Sequence, residues 1–258
     1  MTDQSLQFPR FFVTAPAQCP YLPDRLERKV FTELRGDEAT ALNEALSRVG
    51  FRRSQSVAYR PACEGCSACI SVRIIAQEYK PPKSMRRISS RNDDVQANVL
   101  EPKVTQEQFE LLKKYLETRH ADGGMADMSF LEYAEMVQHS PVNTAVIEYR
   151  LPPTEDEALG RLVAACLTDI MGDGLSMVYS FYDPDYAPRS LGTYIILHHI
   201  EEARRRGLHY VYLGYWIKGS EKMNYKTRFQ PLERLSANGW VPLSREDIGE
   251  DPQGDLFL

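Results

Sequence analysis

Two rhythms of apolar and polar positions run along the chain. Helical spacing appears first between Asp37 and Gly50, where Ala41, Leu42, Ala45, Leu46 and Val49 fall on one face. Asp37 suits the start of that helix and Gly50 its exit. The same spacing predicts a helix over Thr105–Arg119, with Phe109, Leu112 and Leu116 inward and Gln108 three residues after Thr105. Ser129, with Glu132 three residues on, opens another that reaches Gln138. A long helix is expected over Ser190–Arg206, ended by Gly207, with Glu201–Arg205 and Glu202–Arg206 pairs on its wet face. Glu221–Phe229 also reads as helical.

Strand-like runs occupy Ser54–Tyr59, Ile70–Ile75, Thr144–Tyr149, Gly160–Asp169, Ser176–Tyr182 and Tyr210–Leu213. Gly172-Asp173-Gly174 is a hairpin signal. Pro81-Pro82 breaks the chain, Pro102 interrupts a mixed segment over Asp94–Val104, and His120–Gly124 reads as a loop. The second half alternates strands and helices, which predicts an α/β (α+β) fold: a mixed sheet with helices on its faces. A boundary is placed near residue 100. It separates an N-terminal α+β region (1–100), with a cysteine turn and a basic segment, from a C-terminal domain (101–258) with an acidic tail.

A chain of 258 residues can bury a real core as one large domain or two small ones. With 43% hydrophobic and 26% charged residues, it is neither a disordered nor a fibrous composition. No run of 18 apolar residues suggests a membrane span, and MTDQSLQFPR lacks the pattern of a secretory leader, so a cytoplasmic location is expected. The net charge of −5 is unevenly placed. Acids gather at Glu155-Asp156-Glu157 and between Ser244 and Leu258, whereas Lys80, Lys83, Arg86, Arg87 and Arg91 form a run without one. Screening confines each charge to about 8–10 Å, so this run can hold phosphate in an acidic protein. A solvated face is the plainer account of the run alone.

Five cysteines are present: Cys19, Cys63, Cys66, Cys69 and Cys166. The spacing Cys63-x-x-Cys66-x-x-Cys69 lets a tight turn aim thiolates at one ion, with Cys19 as a fourth ligand. Zinc and an iron–sulfur cluster both accept such ligands, and free thiols on a turn remain the alternative. Cys166, in an apolar run, reads as core.

One loop stands out as candidate chemistry. Tyr182-Asp183-Pro184-Asp185-Tyr186-Ala187-Pro188-Arg189-Ser190-Leu191-Gly192 leads from a strand into the long helix. The first N–H groups of a helix lack internal partners and carry partial positive charge, which suits a phosphate or carbonyl oxygen. Arg189 would add a cation, and Gly192 would let a ligand approach. The pattern resembles the pyrophosphate turn of the GNAT N-acetyltransferases, except that Tyr194 replaces its final small residue.

Four segments together resemble the arginyl/leucyl-tRNA–protein transferase family, most of all its bacterial, leucine-transferring branch. They are Cys19-Pro20-Tyr21-Leu22; Tyr59-Arg60-Pro61 leading through the cysteines to Ile70-Ser71-Val72-Arg73; Tyr179 to Tyr186; and Tyr212 to Ile217 with Lys222-Met223-Asn224-Tyr225-Lys226. The resemblance covers roughly residues 10 to 240. It implies an acetyltransferase-like C-terminal half and transfer of leucine from Leu-tRNA to the N-terminal amine of proteins beginning with Asp or Glu, marking them for degradation. Leu22 replaces the second cysteine of the Cys-Gly-Tyr-Cys element in eukaryotic relatives, so their metal chemistry does not carry over directly.

On that reading the ester is already activated and no cofactor is required for catalysis. An α-amine of pKa about 7.7–8.0 is partly neutral near pH 7, and positioning supplies much of the acceleration. Asp183, beside Tyr182, is the expected proton acceptor or orienting group, with a turn-forming role as the alternative. Amides at Ser190, Leu191 and Gly192 would stabilise the oxyanion or hold the tRNA terminus. Tyr182, Tyr186, Tyr215 and Tyr225 would stack bases, and Lys222, Lys226, Arg228, Arg60 and Arg73 are the candidate cations for the acceptor's acid. Arginyl transfer, acyl-CoA-dependent acetylation and a metal-stabilised RNA-binding module are the competing readings.

Overall fold

The computed structural model describes residues 9–119 and 125–249. The chain opens with β1 (Phe11–Val13), a small pair β2 (Ala17–Gln18) and β3 (Leu26–Glu27), then β4 (Lys29–Glu33), α1 (Ala39–Arg48), β5 (Arg52–Ser54) and β6 (Val57–Pro61). β1, β4, β6 and β5 lie in that order as an antiparallel sheet. The single strand expected over Ser54–Tyr59 is a hairpin, because Gln55 at φ 51° turns the chain between β5 and β6. Asp37 does not cap α1. Glu38 occupies that position with no side-chain bond, and the chain leaves through Gly50 at φ 88°.

The remaining elements are β7 (Cys69–Ile75), α2 (Lys83–Arg91), β8 (Gln96–Leu100), α3 (Gln106–Arg119), α4 (Phe130–Gln138), β9 (Thr144–Arg150), β10 (Leu162–Ile170), β11 (Gly174–Tyr182), α5 (Leu191–Arg205), β12 (Tyr210–Ile217), α6 (Glu221–Asn224), β13 (Leu232–Ser236), β14 (Gly239–Pro242) and α7 (Arg245–Ile248). Eight strands form one sheet in the order β14-β13-β7-β12-β11-β10-β9-β8. Its pairs are antiparallel except β11 with β12, which are joined by the crossover helix α5. This is the expected mixed sheet with flanking helices. β7 lies inside it, between β13 and β12, and residue 100 ends β8. The expected loop at His120–Gly124 lies outside the described residues.

Strand alternation divides the core. On β10, Ala165 and Leu167 face Leu112, Leu116, Tyr133 and Val137 of α3 and α4. Ala164 and Cys166 face Leu191 and Ile195 of α5 from the other side. Both capping boxes form as read. The Gln108 N–H donates to Thr105 Oγ1 (3.1 Å), and the Thr105 N–H to Gln108 Oε1 (3.3 Å). Ser129 and Glu132 cap α4 in the same reciprocal way. Such a cap is worth about 1 kcal/mol.

Several expectations need correction. The basic segment is itself a helix, α2, which starts after Pro82 and buries Met85 and Ile88 in the cluster that holds Ile196 and Ile200 of α5. β8, β13 and β14 went unread: β8 is a mostly exposed edge, and all three are short. β12 runs four residues past the expected Leu213 because a bulge at Gly214 interrupts its pairing without ending it. Glu202 is not on the wet face. It is 3% exposed, and Arg205 and Arg206 reach round to it.

Candidate functional site

β11 and β12 pair only where Gly174–Ser176 meets Tyr210–Tyr212, and beyond that they part. Register shifts at Leu167/Thr168 and at Tyr212/Gly214 flank the parting. Parted strands leave main-chain groups without ladder partners, and those groups must find others. The partners are two cations. Arg52 of β5 donates from Nη2 to the carbonyl of Met177 at 2.7 Å. Lys226 donates from Nζ to the carbonyl of Tyr215 at 2.5 Å. Period-two alternation on β5 sends the neighbouring Arg53 the other way, into a buried pair with Asp169 of β10 at 2.6 Å.

Gly214 makes room for this arrangement. It sits at φ 79°, and a Cβ there would stand 1.6 Å from Nη1 of Arg52. Lys226 is 5% exposed; burial, and then the charge of Arg52, pull its ammonium from 10.5 down to about 7. Tyr215, expected as a stacking face, is instead buried. Its hydroxyl donates to the carbonyls of Gly50 (2.9 Å) and Tyr59 (3.2 Å), tying β12 to the N-terminal sheet.

Tyrosines wall the cleft. Tyr115 of α3 meets Tyr182 edge-on at 5.0 Å. A side chain at Gly192 would come within 3.0 Å of the Tyr182 ring, so glycine lets that ring lie on the first turn of α5. Tyr225 is 44% exposed and lies within electrostatic reach of Arg52, Tyr182 and Tyr21. Lys222 and Arg228 flank it and are exposed. Arg60 is exposed and rests on the Phe51 ring at 5.6 Å.

Asp183 ends β11. Its carboxylate accepts the Asp185 N–H (3.0 Å) and pairs with Lys114 (2.6 Å), both through Oδ1. Lys114 also holds Asp185 at 2.6 Å. The turn-forming role is therefore present, and Oδ2 has no protein partner among the described residues. Pro184–Arg189 then form a 3-10 turn, and Ser190 enters α5 from the left-handed region at φ 55°. The Thr193 and Tyr194 N–H groups return to the Ser190 carbonyl at 3.0 Å each. The N–H groups of Leu191 and Gly192 lead the helix.

Two expected cations are spent elsewhere. Arg189 forks onto Asp94 at 2.7 and 2.9 Å, with Tyr186 nearby at 5.9 Å, and it holds the Asp94 carboxyl below the usual range. Its charge fastens the loop to the segment after α2 rather than standing beside the amides. Arg73 is 7% exposed, pairs with Glu233 at 2.7 Å and lies over the rings of Tyr210 (3.5 Å) and Trp240 (4.2 Å). Both rings cover it, so it offers nothing to an acceptor.

The cysteines border the same cleft. Cys69 heads β7 opposite Ile217, and Tyr21 lies within electrostatic reach of Cys69, Tyr59 and Arg52. Burial, and then the thiols of Cys63, Cys19 and Cys66, push Cys69 up to about 11. Cys66 moves the other way, drawn down by the Ala68 backbone and by Arg25. Among the described residues no group of three or more His, Cys, Asp or Glu side chains has the geometry of a metal site, although Cys19, Cys63 and Cys66 all lie within electrostatic reach of Cys69. Cys166 is fully buried, as expected of core. Beyond the α5 entrance, Lys83, Arg86, Arg87, Ser90 and Arg91 line an open depression on α2, and Arg91 donates to the Pro188 carbonyl.

Sequence reasoning missed Arg52, Lys114, Tyr115 and Tyr21 as parts of this site. Arg52-Arg53 reads as a polar surface pair unless β5 is known to be a strand, in which case alternation separates the two. Lys114 and Tyr115 sit in a helix whose capping signal drew the attention. No helix among the described residues is long and apolar enough to cross a membrane.

The family models described as arginine-tRNA-protein transferase, N terminus and C terminus, match residues 17–87 and 107–236. An aspartate/glutamate leucyltransferase from Rhizorhabdus wittichii is 58% identical over 255 residues, covering 96% of this chain and 95% of its own. One of the same name from Sinorhizobium medicae is 55% identical, covering 99% of this chain and all of its own. Among solved structures, L-PGS from Bacillus licheniformis aligns with a TM-score of 0.45 at 13% identity, covering 58% of this chain and 46% of that one.

Proposed function

Since the chain belongs to the arginine-tRNA-protein transferase family, and is thus a transferase acting on an aminoacyl-tRNA and a protein acceptor, we propose that it moves leucine from Leu-tRNA to the N-terminal amine of proteins beginning with Asp or Glu. Leucine added there would expose the acceptor to N-degron recognition. The observation that carries the reading is the cleft between β11 and β12, bounded by Asp183, the α5 amides and two cations.

Acceptor and donor meet at its open end. The amine nitrogen attacks the ester carbonyl, an amide bond forms, and the bond to the ribose oxygen breaks. One amine proton ends on that oxygen, restoring a hydroxyl on the tRNA. Asp183 Oδ2 orients the amine and carries its proton. The N–H groups of Leu191 and Gly192 bear the charge that develops on the carbonyl oxygen. Tyr182 and Tyr225 offer faces to the terminal bases, and the basic face of α2 takes the phosphates behind them.

A filter assay with labelled Leu-tRNA and an Asp-start peptide tests this, run beside Arg-tRNA and acetyl-CoA. Leucine alone is expected in the peptide. Arginine incorporation would move the chain to the other donor, acetylation would make it an N-acetyltransferase, and no transfer would end the proposal.

A further inference from the structure

The acidic residue of an acceptor needs a cation, and the cations around the cleft differ in what already neutralises them. Arg53 is held by Asp169, Arg73 by Glu233, Arg189 by Asp94, and Lys114 by Asp183 and Asp185. Arg52 and Lys226 have no carboxylate within ion-pair distance among the described residues; Lys222, Arg228 and Arg60 have none either, but those three are exposed to water. Arg52 and Lys226 are withdrawn from it, Arg52 partly and Lys226 almost wholly. A desolvated charge without a counter-ion is costly, and a site that tolerates two is built to receive an anion.

The donors of Arg52 suit that role. Its bonds to Met177 and Val178 carbonyls all leave from Nη2, at 2.7 and 3.4 Å. Nη1 lies in the gap that Gly214 keeps open, so the guanidinium is held in place with donors to spare. Tyr225 lies within electrostatic reach of both Arg52 and Tyr182, the neighbour of Asp183. Arg52 and Tyr182 therefore both border the space around Tyr225.

We propose that Arg52, supported by the buried Lys226, is the receptor for the side-chain carboxylate of the acceptor's first residue, an inference that rests on the leucyl-transfer reading. An Asn- or Gln-start acceptor leaves the Arg52 guanidinium uncompensated, and that difference sets the selectivity. Lys226 holds the Tyr215 carbonyl of β12 on the other side of the gap and is a positioning residue.

The first test compares kcat/KM for Asp-start and Asn-start peptides in the wild type, Arg52→Gln and Arg52→Lys. Arg52→Gln is expected to lower the Asp-over-Asn ratio roughly 10–100-fold, chiefly through KM, and Arg52→Lys to recover part of it. Equal losses for both peptides, or an unchanged ratio, overturn the proposal. The second test needs neither a variant nor turnover. Arginine modification by phenylglyoxal, mapped on the intact wild-type chain, is expected to spare Arg52 when an Asp-start peptide is present but not an Asn-start one. Arg60 is expected to react in both. Equal reactivity of Arg52 with either peptide overturns the proposal, as does protection by uncharged tRNA alone, which would assign the cation to phosphate. Failure of leucine transfer with Arg52 still protected would sink the functional reading and leave the carboxylate site standing.

Discussion

A Cβ on residue 214 would occupy the place of the Arg52 guanidinium, 1.6 Å from Nη1. The two residues are 162 positions apart, and they define how far β11 and β12 part. Gly214→Ala must therefore expel Arg52 or shift β12, and it places a side chain at φ 79°. A loss of about 2–4 kcal/mol is expected in urea unfolding, together with a raised KM for Asp-start peptides. Wild-type stability and KM would show that the guanidinium moves aside freely.

Lys226 makes stability depend on pH in a definite direction. The unfolded chain keeps this proton up to its ordinary 10.5, whereas burial releases it near 7 in the fold. Between those values the unfolded state binds more protons, so stability rises with pH from about 7 to 10.5. Below 7 the penalty for the buried charge is at its full size. Unfolding of the wild type and Lys226→Met, measured in parallel across that window, is expected to show the wild type gaining on the variant as pH rises. A constant difference would mean that Lys226 stays charged throughout.

Arg53 and Asp169 form a pair with side chains 1% and 2% exposed, which joins the small sheet to the large one. Thr144 also donates to Asp169, at 2.8 Å. Asp169→Ala strands the guanidinium and is expected to cost about 3–5 kcal/mol in denaturant. Arg53→Met with Asp169→Leu is expected to cost less than that single change, because no lone charge is left behind. If the double variant loses more, the pair is worth more than its desolvation.

Asp183→Asn retains the side-chain turn to Asp185, which an amide oxygen also makes, while losing the Lys114 ion pair. With a Leu-tRNA donor and an Asp-start acceptor, the single-turnover rate is expected to fall roughly 100-fold with the fold intact by circular dichroism. An unchanged rate would leave Asp183 with the turn alone.

The α2 face carries charge that the sequence shows as a run and the helix gathers around one open depression. Lys83→Ala with Arg87→Ala is expected to weaken binding of charged and uncharged tRNA alike. The salt dependence of log K is expected to flatten by roughly one unit per lost phosphate contact. Filter binding across a salt series checks this, and an unaltered slope would return these side chains to the role of a solvated face.

Local interactions were legible without coordinates. The capping boxes at Thr105 and Ser129, the hairpin at Gly172 to Gly174 and the long helix ended by Gly207 depend on residues three or four apart, and their spacing declares them. The motif order was enough for the family and the mixed sheet, because those are properties of residue identity along the chain. The ownership of charge was another matter. Arg189 and Arg73 looked available and are bound to Asp94 and Glu233, whereas Arg52 looked ordinary and holds the centre of the cleft. Ion pairing and burial are set by residues some 95 to 160 positions apart. Only the packing of β5 and β7 against β11 and β12 could bring those groups together, and with them the energies that decide which cation is left for a ligand.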